Sequence, residues 1–103
     1  MAEMESSEAP KENIVLPSEL CLSHAAKIAV VEDKPIMLDY WVPSLSGECF
    51  IGVKDDSEKL LVKNEDEYTS PISKIYKVNV EYLIMTENSL YVVSANVGSK
   101  RIQ

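Results

Sequence analysis

From Ile36 to Ser94 apolar and polar residues alternate in short bursts broken by turn residues, the mark of pleated strands. Ile36–Val42 sets Ile36, Leu38, Tyr40 and Val42 on one side, with Asp39 on the other between Met37 and Trp41. Pro43-Ser44-Leu45-Ser46-Gly47 is turn chemistry. Cys49–Lys54 reads as the next strand, with Cys49, Ile51 and Val53 facing one way, and Gly52 inside it calls for a bulge or a close backbone approach. Asp55-Asp56-Ser57-Glu58 is a polar turn, Lys59–Lys63 a short strand and 64–71 a charged loop. Ser73–Val78 follows, and Glu81–Thr86 with Ser89–Ser94 forms a predicted hairpin around Glu87-Asn88.

That hairpin departs from simple alternation. In Tyr82-Leu83-Ile84-Met85 and Leu90-Tyr91-Val92-Val93 both faces are apolar, whereas a one-sided sheet would place a polar residue at every second position. Either the hairpin is central and covered on both sides, or one face meets another copy. The segment 14–32 supports two readings. Ser18-Glu19-Leu20 can open a helix, yet Ile28, Val30 and Val31 are β-branched, and this favours a strand over about Lys27–Glu32. Asp33-Lys34-Pro35 is a turn.

Together these segments predict an all-β fold: a small antiparallel β-barrel or sandwich, SH3-like, with short loops and antiparallel neighbours throughout. One β-rich domain is expected over 14–94. Residues 1–13 hold four Glu, one Lys and one Pro against Met and Ala alone, too little apolar surface to offset ordering entropy, and read as a disordered acidic tail. Residues 95–103 read as a flexible C-terminal tail.

Charge narrows the partners. Seventeen acidic against ten basic residues leave a formal net charge of −7. The single arginine, Arg101, lies near the C-terminus, so bidentate reading of phosphate or guanine has no donor in the domain body. This disfavours nucleic acid; a basic protein partner, or simple solubility, accounts better for the charge. The two cysteines, Cys21 and Cys49, are fewer than a secreted scaffold of this size carries. The stretch 1–12 has no apolar core of a signal peptide, no run approaches a membrane span, and no Asn-x-Ser/Thr acceptor is present. The expectation is an intracellular protein, cytoplasmic or nuclear, with both thiols free and no membrane partner.

Candidate chemistry is sparse. His24, the one histidine, would have to serve any Ser-His or Cys-His pair, but Cys21 and Ser23 beside it are sequence neighbours only. Cys21, His24 and Cys49 lack the short paired spacing of a zinc site. Asp55, Asp56 and Glu58 lack the glycine and distal glutamate of a calcium loop. Asp39 is either a surface carboxylate or a hydrogen-bonded anchor. Three glycines, Gly47, Gly52 and Gly98, form no phosphate-binding loop. No catalytic, cofactor-binding or metal-binding residue is therefore assigned, and the chain is not expected to be an enzyme.

The words Lys34-Pro35-Ile36, Asp39-Tyr40-Trp41, Asp66-Glu67-Tyr68-Thr69-Ser70-Pro71-Ile72 and Thr86-Glu87-Asn88-Ser89-Leu90-Tyr91 resemble short uncharacterised proteins encoded by large DNA viruses of algae and protists. The resemblance spans about residues 26–94. It implies a viral protein made inside a host cell and brings no activity, cofactor or site.

The expected function is a non-enzymatic interaction or structural module that binds a protein, including a second copy of itself. Its candidate surface is Tyr40, Trp41, Lys74, Tyr76, Tyr82 and Tyr91. The alternative is a nucleic-acid-associated regulator that stacks bases on Tyr40 and Trp41 beside Lys63, Lys74 and Lys77.

Overall fold

The computed structural model describes residues 15–102; the expected acidic tail over 1–13 lies outside them. The first element is a helix. α1 runs Glu19–Glu32, and Ser18 caps it by accepting from the Cys21 N–H at 3.1 Å. Cys21 and Ala25 are fully buried, with Ile28 packed beside them, a spacing of four and three that fits one helical face. Asp33 ends the helix in the left-handed region (φ 57°), which a short polar side chain tolerates. The strand expected over Lys27–Glu32 is thus the C-terminal part of a helix. The face buried by tertiary packing outweighs the strand preference of Ile28, Val30 and Val31.

The strand expected over Ile36–Val42 is also corrected. Only β1, Ile36–Met37, is extended, and the chain then folds into a short helix α2, Trp41–Leu45. Pro43 falls within the first turn of α2, where its missing N–H costs nothing. Ser44 is fully buried: its hydroxyl donates to Trp41 O and accepts from Ser94 N–H at 2.8 Å, which bolts α2 to the sheet.

The remaining strands are β2 (Phe50–Val53), β3 (Lys59–Asn64), β4 (Glu67–Tyr68), β5 (Ile72–Val78), β6 (Glu81–Thr86), β7 (Leu90–Ser94) and β8 (Gly98–Arg101). They form two four-stranded sheets, A in the order β1-β7-β6-β5 and B in the order β4-β3-β2-β8. Both are mixed: β1 lies parallel to β7 and β8 parallel to β2, where antiparallel neighbours were expected. The described residues are mostly strand, but with two helices among them the fold is not all-β, and the sheets they form do not close into a barrel.

The β6–β7 hairpin is covered on both faces, the first of the two alternatives above. Leu83, Met85, Leu90 and Val92 pack against Cys21 and Ala25 of α1 and Trp41 of α2. Ile84 and Val93 point the other way, into a second core with Cys49, Ile51, Leu61 and Val97. Sheet A is therefore a middle layer between the helices and sheet B. The tip turns at Glu87-Asn88 as expected, with the Thr86 hydroxyl accepting from the N–H groups of Asn88 and Ser89. Residues 98–101, expected as part of a flexible tail, form β8. They extend the register Phe50–Gly98 to Val53–Arg101, and Ile102 N–H donates to Val53 O at 2.8 Å.

Candidate functional site

Sheet B buries one face against sheet A and leaves the other open, and that outer face forms a concavity. Alternation along each strand decides which side chains line it. Ile51 of β2 and Leu61 of β3 point inward, so Phe50, Gly52, Leu60 and Val62 point outward. The register places Tyr68 of β4 across from Val62, and Gly98 and Lys100 of β8 beside Phe50 and Gly52. The result is a groove of about 630 Å³ walled by Phe50, Leu60, Val62, Tyr68 and Ile102, with Lys54, Asn64, Glu65 and Lys100 at its polar margin.

Gly52 makes the groove possible. A Cβ there would lie 2.7 Å from Ile102 Cδ1 and 3.2 Å from Val62 Cγ2, so its floor has room for no side chain while Ile102 stays in place. The bulge expected at this glycine is absent, since the β2–β3 register runs without a shift, and what comes close to it is the side chains of Ile102 and Val62 rather than the expected backbone. Lys100 Nζ stands 4.5 Å from the centre of the Phe50 ring, a cation–π contact at the margin. Lys54 pairs with Glu58 at 3.3 Å. Tyr68 is 60% exposed and forms the most open wall. No hydroxyl–imidazole or thiol–imidazole pair lies here. The groove offers apolar contact area with hydrogen-bonding and charged groups around it, which is chemistry for holding a side chain.

The six residues expected as one surface divide between layers. Tyr40 and Trp41 are core residues, 4% and 6% exposed. Tyr40 meets Tyr91 edge to face at 5.2 Å, with Lys63 Nζ 4.8 Å above its ring, and Tyr82 lines the same inter-sheet core. Trp41 and Tyr76 belong to the core on the opposite side of sheet A, where Trp41 Nε1 donates to Val15 O at 2.8 Å. Lys74 is exposed, 5.8 Å from the Tyr76 ring. Asp39 proves to be a surface carboxylate, half-exposed and 3.9 Å from Lys63 Nζ.

Cys21 and Cys49 are both free and buried, one in each core, on opposite sides of the β6–β7 hairpin. Burial pushes each thiol up to about 11; Glu81 adds to the rise at Cys21, and Lys63 works against it at Cys49. His24 is exposed on α1 and shares no site with either. Among the described residues no group of three or more His, Cys, Asp and Glu is gathered as metal ligands would be. No described helix is long and apolar enough to cross a membrane.

The groove was missed at the sequence level because half of it comes from segments read as loop or tail. Phe50/Gly52 and Leu60/Val62 alternate within strands that were expected, but Tyr68 fell in the charged loop 64–71 and Lys100 and Ile102 in the tail. The period-two placement of Gly98, Lys100 and Ile102 was the available signal. Comparison of the chain with protein-family models, curated proteins and solved structures gives no match.

Proposed function

We propose that this protein is a non-catalytic binding module that holds a partner protein in the outer groove of sheet B. The observation that supports it is the exposed Tyr68 ring standing with Phe50 and Ile102 around a glycine floor. Apolar recesses rimmed by polar groups mark interaction sites on protein surfaces, and covering one returns about 25 cal/mol per Å² of apolar area. The occupant is an extended segment with one bulky aliphatic or aromatic side chain. That side chain enters between Tyr68 and Ile102, and the neighbouring polar groups meet Asn64 and Lys100. Tyr68 suits the task because its ring is apolar and its hydroxyl remains wet.

The nucleic-acid reading has less to draw on. Tyr40 and Trp41, its stacking rings, are packed inside on different sides of sheet A, and Lys63 is already engaged over Tyr40 with Asp39 and Glu67 at 3.9 and 3.7 Å.

Selection from a displayed random-peptide library tests the proposal. Enriched peptides should share an apolar anchor, shift the amide resonances of Phe50, Leu60, Tyr68 and Ile102, and bind the Tyr68→Ala variant at least roughly tenfold more weakly. Peptides that bind Tyr68→Ala as well as the parent, or a selection that enriches nothing, would remove the groove as the site.

A further inference from the structure

A second surface carries chemistry that the groove does not use. β5 is an edge strand: it pairs with β6, and no second strand is hydrogen-bonded to it among the described residues. With seven residues it is the longest strand, and Ser73, Lys74, Ile75 and Lys77 are exposed. Every second residue of such a strand turns its N–H and C=O away from the sheet, an open row that can accept another strand.

The edge is cationic on a protein of net charge −7. Lys74 and Lys77 lie on β5 itself. Lys27 of α1 borders a recess of about 230 Å³ against Tyr76 on one side of the strand. Lys59 of β3 borders another of about 400 Å³ beside Ile75 on the other side. None of these four lysines has a carboxylate within 4.0 Å among the described residues. Two glutamates, Glu32 and Glu58, line the recesses, and Glu58 is engaged by Lys54 at 3.3 Å. Lysines on an edge prevent pairing with another copy, because like charges would face each other across the new ladder. The same arrangement favours a strand of opposite charge.

We propose that the free edge of β5 binds an extended acidic segment of a partner protein as a fifth strand of sheet A. This goes beyond the groove reading and does not depend on it. The alternation of β5 specifies the segment. Lys74 and Tyr76 face the helix layer while Ile75 and Lys77 face the sheet B side, so the residues opposite positions 74 to 77 run acidic, apolar, apolar, acidic. The carboxylates meet Lys74 and Lys77, and the apolar pair enters the two recesses.

The test uses the full chain and a labelled, end-capped peptide, Gly-Thr-Glu-Val-Val-Glu-Thr-Gly, followed by fluorescence polarisation at about 50 mM salt, where screening is weak. The parent is expected to bind, and the β5 amides open to hydrogen exchange are expected to become protected. The double variant Lys74→Glu/Lys77→Glu should bind at least roughly tenfold more weakly and recover binding to the peptide with Lys in place of Glu. Tyr68→Ala should bind like the parent, which separates this site from the groove. Equal binding to the charge-reversed variant, or no binding to the parent, overturns the proposal. So does displacement of the peptide by single-stranded DNA at equal concentration, which would make the lysines a phosphate site. Protection of β5 in the peptide-free protein that vanishes on deleting residues 1–14 also overturns it, by assigning the edge to the chain's own acidic segment.

Discussion

Ser18 shows how one side chain can join two distant parts of a chain. Its hydroxyl oxygen accepts from Cys21 N–H at the start of α1 and donates to Glu81 Oε1 at 3.1 Å, while its own N–H donates to Glu81 Oε2 at 3.0 Å. In a local capping box the residue three places after the cap supplies the carboxylate that accepts the cap N–H. Here that place holds Cys21, and a glutamate from β6 does the work instead. Glu81 is only 3% exposed, so these two bonds are what the described residues provide for its buried oxygens. Ser18→Ala removes the cap and one donor to a buried carboxylate and is expected to cost about 2 kcal/mol in urea unfolding. Glu81→Ala should be non-additive with it by more than about 0.5 kcal/mol, because the two sites share one network. Additive losses would mean that the link between Ser18 and Glu81 contributes nothing.

At the scale of elements, β2, β3, β5, β6 and β7 were legible to within a residue or so, because each is a short run rich in β-branched, aromatic or other apolar residues bounded by turn residues. α1 was not. Its helix start is completed by Glu81, its buried stripe is only Cys21, Ala25 and Ile28, and Val30 and Val31 stay exposed, so no strong helical period reached the sequence. α2 was hidden for a related reason: Tyr40-Trp41-Val42 carries strand preference, and what bends it into a helix is the contact of Ser44 with Ser94, fifty positions away. The parallel pairing of β8 with β2 leaves no local trace beyond the alternation of Gly98, Lys100 and Ile102, and the groove, which needs β8, was lost with it. The two-sided hairpin was legible, and it makes a sharp expectation. Leu83→Ala opens a cavity toward the helices and Ile84→Ala one toward sheet B, and each should cost about 2–5 kcal/mol in chemical denaturation. If either variant loses less than about 1 kcal/mol, that face of β6 is not packed as described.

For the molecule as a whole, the two cores on either side of sheet A each hold neutral ionisable groups, and this sets where folding fails with pH. Burial raises Cys21 and Cys49 to about 11 from the ordinary 9.0. Burial, then Tyr91 and Asp39, raises Tyr40 to about 12 from 10.0, and burial with Asp39 also raises Tyr91. Thiols and phenols are neutral when protonated, so a raised value means that the folded state holds these protons more tightly than the unfolded chain. Their contribution is complete below pH 9.0, begins to fall once the unfolded thiols ionise, and is exhausted near 11 for the thiols and 12 for Tyr40. The thermal midpoint should therefore stay level in this respect up to about pH 9 and decline steeply beyond it, with loss of ellipticity accompanying the last of the tyrosinate absorbance. Because Cys49, Tyr40 and Tyr91 share the inter-sheet core while Cys21 sits under α1, both layers lose support over the same interval, and unfolding should remain a single transition. A complete tyrosinate signal that precedes any change in ellipticity would show Tyr40 and Tyr91 open to water, and the inter-sheet core could then not be the sealed layer that positions the groove on the far side of sheet B.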